Sequence, residues 1–126
     1  MTDIRVILDT SAVLAYASGS IAVGEVMAEV TDDLASFAVP LPCLIEAARQ
    51  VDNDYLPGVH LLEAHRYGVI VPDRVDRWRT IAGLARVLGR VDLASALIAA
   101  QDHAAYVLTA EPDAYGEPGR DVVIGI

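Results

Sequence analysis

The chain has no lysine, a single cysteine and no long apolar run among its 126 residues. One cysteine, Cys43, excludes an internal disulfide and cannot form a metal site by itself. No apolar run is long enough to cross a bilayer, and the acidic Asp3 precedes the first short run, unlike the basic start of a secretory signal. We therefore expect a cytoplasmic protein with no membrane association.

The lack of lysine matters because the net charge is −9. Affinity for nucleic-acid phosphates comes from basic side chains, so this charge weighs against nucleic-acid binding. All nine basic residues are arginines, and five of them fall within one third of the chain. This cluster predicts a basic patch that binds either phosphates or the carboxylates of a partner protein. The alternative is a helix face that is exposed to solvent and binds nothing. Its members are Arg74, Arg77, Arg79, Arg86 and Arg90.

The usual elements of nucleophilic catalysis are also missing. Ser11 and Ser95 have no histidine within motif distance, and Cys43 has no evident activating partner. No glycine-rich phosphate loop is present, because residues 116–119 are typical of a turn. The sequence therefore favours chemistry based on carboxylates.

The chain has the length and apolar content of one domain, which we place at residues 1–126. Apolar runs rich in β-branched residues predict extended segments, and helical periodicity predicts helices between them. Strands separated by helices imply parallel connections, hence an α/β three-layer sandwich with a small parallel sheet and helices on both faces. The predicted strands are 4–8, 106–110 and 122–126, with a brief extended segment at 37–41 and a short apolar run at 69–71. The predicted helices are 12–17, 21–30, 43–51, 56–67, 73–88 and 93–105. Ser20 is suited to cap the second helix, and Pro42 is suited to the first turn of the third.

The stretch IRVILDTS, residues 4–11, predicts a buried strand that ends at Asp9. Ligands of parallel sheets gather beyond the carboxyl ends of the strands, so an acid there is well placed for chemistry. Thr10 and Ser11 are typical of a helix start, and Asp9 is equally well placed to cap that helix.

Two further acids are candidates for the same crevice. Glu111 also follows a predicted strand, and if the two strands are neighbours their ends lie about 5 Å apart. Glu46 lies on a mostly apolar helix. If its carboxylate is buried, it needs a neutralising cation, which is either Arg49 or a shared metal ion. The alternative is that Glu46 is exposed on the polar side of the helix. Three converging carboxylates favour Mg²⁺ or Mn²⁺, which activates water for phosphodiester cleavage.

The segments LDTSAVLAY, ALIAAQ and LTAE, with Glu46 on a helix between the first two, resemble PIN-domain nucleases in order and spacing. The nearest likeness is to the small VapC-type toxins, and it covers essentially the whole chain. The resemblance implies a small parallel sheet flanked by helices and an acid cluster that binds Mg²⁺ or Mn²⁺. It also implies cleavage of RNA, a homodimer, and an antitoxin-type protein partner that binds near the site.

By position, Asp9 and Glu46 match the first two acids of the family. Glu111 stands where the family usually has aspartate, and Asp113, two residues further on, is an alternative ligand. These positions imply a catalytic and metal-binding set of Asp9, Glu46 and Glu111, supported by Thr10 and Ser11.

The chain departs from the family at Ser95, because the family places an aspartate immediately before ALIAA. Asp92 lies one turn earlier on the same helix face and is a possible replacement ligand, although we favour a role as helix cap. A vacant ligand position leaves two hypotheses. The first, which Asp9, Thr10, Glu46 and Glu111 favour and which is our prediction, is a VapC-like, metal-dependent ribonuclease in which water or Ser95 takes that position. The second, favoured by Ser95 and the net charge, is a catalytically degenerate PIN-like protein that serves as a dimeric protein-interaction module.

Overall fold

A computed structural model describes residues 3–126, which form a five-stranded, all-parallel sheet and six α-helices. The strands are β1 (Ile4–Leu8), β2 (Ser36–Pro40), β3 (Gly68–Val71), β4 (Tyr106–Thr109) and β5 (Val123–Gly125). The helices are α1 (Thr10–Ala17), α2 (Ile21–Asp32), α3 (Leu41–Gln50), α4 (Leu56–Glu63), α5 (Trp78–Leu88) and α6 (Val91–His103).

The strand order is β3-β2-β1-β4-β5, so β1 lies at the centre of the sheet. Right-handed crossovers then place α1 to α4 on one face and α5 and α6 on the other. The helix contacts agree, because α1 packs on α3 and α4, while α6 packs on α5 and on the three central strands. The predicted α/β three-layer sandwich is confirmed.

Local signals placed several boundaries correctly. Ser20 caps α2 by accepting a hydrogen bond from the Val23 amide at 3.3 Å, and Pro42 lies in the first turn of α3, as predicted. The helix predicted over 56–67 was too long, because it ends at Glu63 and a turn then leads to β3. The helix predicted from residue 73 begins at Trp78, after a short 3-10 turn.

The core is apolar along the sheet and becomes polar at one end of it. Cys43 is fully buried and packs as a small hydrophobic side chain. The buried polar residues follow or end a strand, or lie in the first turns of a helix. They are Asp9, Thr10, Asp92, Ser95 and Thr109. This end of the sheet therefore carries the polar centre of the molecule.

None of the helices in residues 3–126 is by itself long and apolar enough to span a membrane. The pair formed by α1 and α2 passes the same length and composition test jointly, but it is bent by 105°.

Gly58 in α4 and Gly83 in α5 offer a test of how closely α4 packs on α1. A Cβ atom on Gly58 would lie 2.7 Å from the Ala17 Cα atom, whereas one on Gly83 would meet nothing within 4 Å. We expect Gly58→Ala to lower the free energy of unfolding by about 1–3 kcal/mol, because the α1 backbone must move. The matched change Gly83→Ala should raise it by about 0.4–1 kcal/mol. Urea unfolding measures both, and equal effects would contradict the packing of α4 on α1.

Candidate functional site

Asp9 lies at the carboxyl end of β1, is fully buried and caps α1. Its Oδ1 atom accepts hydrogen bonds from the Ala12 amide at 3.0 Å and the Ser11 hydroxyl at 2.7 Å. Its Oδ2 atom accepts one from the Tyr115 hydroxyl at 2.6 Å. Burial, together with the neighbouring Asp9 carboxylate, raises the pKa of Tyr115 and keeps this donor protonated. Both oxygens of Asp9 are thus engaged by protein donors.

Asp92 is bound by Thr10, the residue after Asp9, whose hydroxyl donates to the Asp92 Oδ2 atom at 2.6 Å. The favoured role of Asp92 as helix cap is wrong. α6 begins at Val91, Arg90 occupies the cap position, and no side chain caps the helix. The Asp92 carboxylate is turned instead towards Thr10 and Arg90.

Arg90 bridges two acids that come from different elements. Its Nε and Nη2 atoms donate to the two carboxylate oxygens of Asp92 at 3.1 and 2.7 Å, and its Nη1 atom donates to Glu111 at 3.0 Å. Burial acts to raise the pKa of Asp92, but the hydrogen bonds from Arg90 and Thr10 outweigh burial and hold that pKa below its usual value. Asp92 is therefore a buried carboxylate neutralised by a cation of the same chain.

Glu46 has a local partner. Its carboxylate is paired with Arg49, one turn further along α3, and accepts a hydrogen bond from Gln50 at 2.8 Å. The hydrogen bonds from Arg49 and then Gln50 lower the pKa of Glu46 to about 2. Of the alternatives that the sequence left open for Glu46, the arginine is the one observed.

The remaining predicted site residues are Ser95, Ser11 and Asp113, and they differ in burial and in hydrogen-bond partners. The Ser95 side chain is buried, and its hydroxyl donates to the Asp73 Oδ2 atom at 3.1 Å. Ser11 accepts a hydrogen bond from the Ala110 amide at 2.8 Å, which ties the end of β1 to the end of β4. Asp113 is exposed, on the short 3-10 turn that also carries Tyr115.

An open cleft of about 650 Å³ lies over this end of the sheet. The structure brings Glu46, Asp73, Asp92 and Arg90 into its lining, whereas Asp9 and Glu111 lie outside the lining and Glu111 is connected to it through Arg90. Apolar side chains form the rest of the lining, namely Leu41, Pro42, Ile45, Pro72 and Val91.

Carboxylate oxygens suit Mg²⁺ or Mn²⁺, but the arrangement described does not fit a resident ion of this kind. Within residues 3–126, no group of three or more His, Cys, Asp or Glu side chains is placed to hold a metal. Ser11, Ala12 and Tyr115 engage Asp9, and Arg90 supplies the positive charge shared by Asp92 and Glu111.

Sequence reasoning missed three residues of the centre. Arg90 was noted only as part of an arginine cluster, and Asp73 only as a helix start. Tyr115 received no role. No local pattern links Arg90 to Asp92, because Arg90 is extended whereas Asp92 already lies in the first turn of α6.

We expect Arg90→Gln to lower the free energy of unfolding at neutral pH by about 1–3 kcal/mol, because it leaves a buried carboxylate without its cation. The folded pKa of Asp92 lies below its ordinary value of 3.8, so the pair stabilises the fold above that pH. This contribution is lost as the pH falls through the folded pKa.

Urea unfolding between pH 3 and pH 7 measures this effect, and the loss at acid pH should be smaller in the variant. Arg49→Gln is the control, because it removes the exposed partner of Glu46 and should change stability far less. Parallel pH profiles for wild type and Arg90→Gln would contradict the role assigned to Arg90.

No protein-family model matches this chain, and no curated protein matches it at the required significance.

Proposed function

We propose that this chain is a catalytically degenerate PIN-like protein, which acts by binding a partner and not by hydrolysis. The observation that carries the proposal is the position of Arg90, whose guanidinium lies between Asp92 and Glu111. A divalent cation at this place would need the same carboxylate oxygens and would be repelled by the arginine. The centre thus contains its own cation, and that cation supplies no activated water.

The state of the other acids supports the same proposal. Asp9 is buried with both oxygens bonded to the chain, and Glu46 is paired with Arg49. The position before ALIAA holds Ser95, whose hydroxyl is a donor to Asp73. The three carboxylates of the implied catalytic set, Asp9, Glu46 and Glu111, thus each have a partner within the chain.

A second copy of the chain is the partner that the PIN resemblance suggests. Leu41 and Ile45 of α3 are exposed apolar side chains that line the cleft, and Ile45 is 59% exposed. Apolar groups gathered beside a polar centre are typical of contact surfaces, and a dimer would remove them from water. An antitoxin-type protein is the other partner that the resemblance implies.

The metal-dependent ribonuclease is the second candidate, and one contact favours it. Thr10 directly follows Asp9 in the chain and donates a hydrogen bond to Asp92, so consecutive residues at the carboxyl end of β1 carry one acid and hold the other. In this candidate the substrate is RNA and the cofactor is Mg²⁺ or Mn²⁺. Arg90 would have to leave Asp92 before the carboxylates could bind an ion.

A cleavage assay separates the two candidates. We expect the purified chain, given Mn²⁺ and single-stranded RNA, to leave the RNA intact, because Arg90 closes the centre. The Asp9→Asn variant, purified in the same way, detects a contaminating nuclease. Cleavage by the wild type that is lost in Asp9→Asn would overturn the first proposal and support the ribonuclease.

Restoring a charge at Ser95 should create a cation site. Ser95→Asp places a second carboxylate against Asp73, whose Oδ2 atom lies 3.1 Å from the Ser95 hydroxyl, and two carboxylates this close require a cation or a shared proton. We expect calorimetry to detect Mn²⁺ binding by this variant and none by the wild type.

Ser95→Asn is the matched control, since it adds similar volume without charge and should bind no Mn²⁺. Circular dichroism establishes that both variants fold. Tight Mn²⁺ binding by the wild type would contradict the closed centre.

A further inference from the structure

One part of the sheet surface, over β4 and β5, carries apolar side chains that are exposed. Tyr106 is the register partner of Val6, and Ile124 is the register partner of Leu108. Tyr106 and Leu108 are two residues apart in β4, so all four side chains lie on the same face. Val6 and Leu108 are buried. Tyr106 is 53% exposed and Ile124 is 40% exposed, so this part of the face lacks the cover that parallel sheets ordinarily have.

Helix α2 makes this exposed area one side of a groove of about 610 Å³. Val26 and Val30, one turn apart on α2, line the groove opposite Tyr106 and Ile124. The groove lies towards the amino ends of the strands, whereas the acidic cleft lies at their carboxyl ends, and the two share no lining residue. The groove is therefore a separate surface of the molecule.

The rim of this groove is acidic. Three acids, Asp3, Glu29 and Asp33, line it together with a single arginine, Arg5. Arg5 pairs with both aspartates, at 3.1 and 3.2 Å. Among the residues that the structure describes, Glu29 takes part in no ion pair, and neither does Glu25, one turn earlier on α2. Like charges one turn apart destabilise a helix, and α2 has no basic residue to offset them, so the groove favours a partner with positive charge.

We propose that this groove binds an amphipathic helix of a partner protein that carries lysine or arginine along one side. The apolar side of that helix packs between α2 and the exposed side chains of Tyr106 and Ile124, because helices are the elements that cover the faces of parallel sheets. Its basic side faces Glu29 and Asp33. Charge complementarity favours this partner over a second copy of the chain, whose net charge is −9. Binding at a surface separate from the cleft goes beyond the function proposed above.

A synthetic helical peptide of leucine and lysine serves as the probe, with a fluorescein label and anisotropy as the readout. The control peptide has the same pattern with glutamate in place of lysine. We expect the purified chain to bind the lysine peptide saturably at low salt and more weakly at high salt, because salt screens the exposed acids. The glutamate peptide should not bind. Equal binding of the two peptides, or binding of neither, would overturn the proposal.

Two matched pairs of variants test whether the lysine peptide occupies the groove. We expect Tyr106→Ser to weaken affinity about tenfold, because it removes an exposed aromatic contact. Tyr55→Ser, which removes a tyrosine that is 46% exposed and lies outside the groove, should leave affinity unchanged. Glu29→Lys should also weaken affinity about tenfold, because like charges then face each other. Glu63→Lys, which reverses an exposed charge on α4, should weaken it far less.

Circular dichroism establishes that the variants fold, and amide hydrogen exchange of the wild-type chain locates the peptide without any substitution. We expect the bound peptide to slow exchange in α2 and to leave α4 unchanged. Equal weakening by both members of a pair, or slower exchange in α4 alone, would overturn the proposal. So would sedimentation data in which the wild type is a dimer and Tyr106→Ser a monomer, because a second copy would then cover the groove.

Discussion

The guanidinium of Arg90 holds the start of α6 and the end of β4 together by bonding to Asp92 and Glu111. Burying Asp92 is costly unless a cation and hydrogen bonds accompany it. Arg90 and Thr10 meet that requirement, and Thr10 extends the same network to the central strand. The carboxyl end of the sheet can therefore hold its acids close together without an ion from solution.

A second network closes the opposite side of the centre. Tyr115, from the turn before β5, donates to Asp9, while Ser11 bonds both to Asp9 and to the backbone after β4. These bonds fix the Asp9 carboxylate inside the protein instead of directing it into the cleft. A centre satisfied from within is suited to holding the fold together. The exposed apolar side chains of Leu41 and Ile45, which line the cleft over this centre, are then available to partners.

Much of the fold could be predicted from local patterns. Apolar runs, periodicity and the cap at Ser20 indicated the order of strands and helices, and with it the parallel three-layer arrangement. The errors lay at two helix ends. α4 ends at Glu63 and α5 begins at Trp78, and the predicted helices extended beyond both residues into segments that form turns. Such boundaries depend on contacts with neighbouring elements more than on the residues themselves.

The sequence by itself determined the α/β class and the position of Asp9 at the end of a strand. It also gave the Glu46–Arg49 pair as one of the alternatives for Glu46. Each of these depends on residues that lie within a few positions of one another in the chain. Only the tertiary structure decided the rest of the centre. Arg90 and Glu111 are 21 residues apart, Thr10 and Asp92 are 82 apart, and Asp9 and Tyr115 are 106 apart. The partner of a buried carboxylate is whichever donor the packing brings within about 3 Å, and no periodicity encodes that distance.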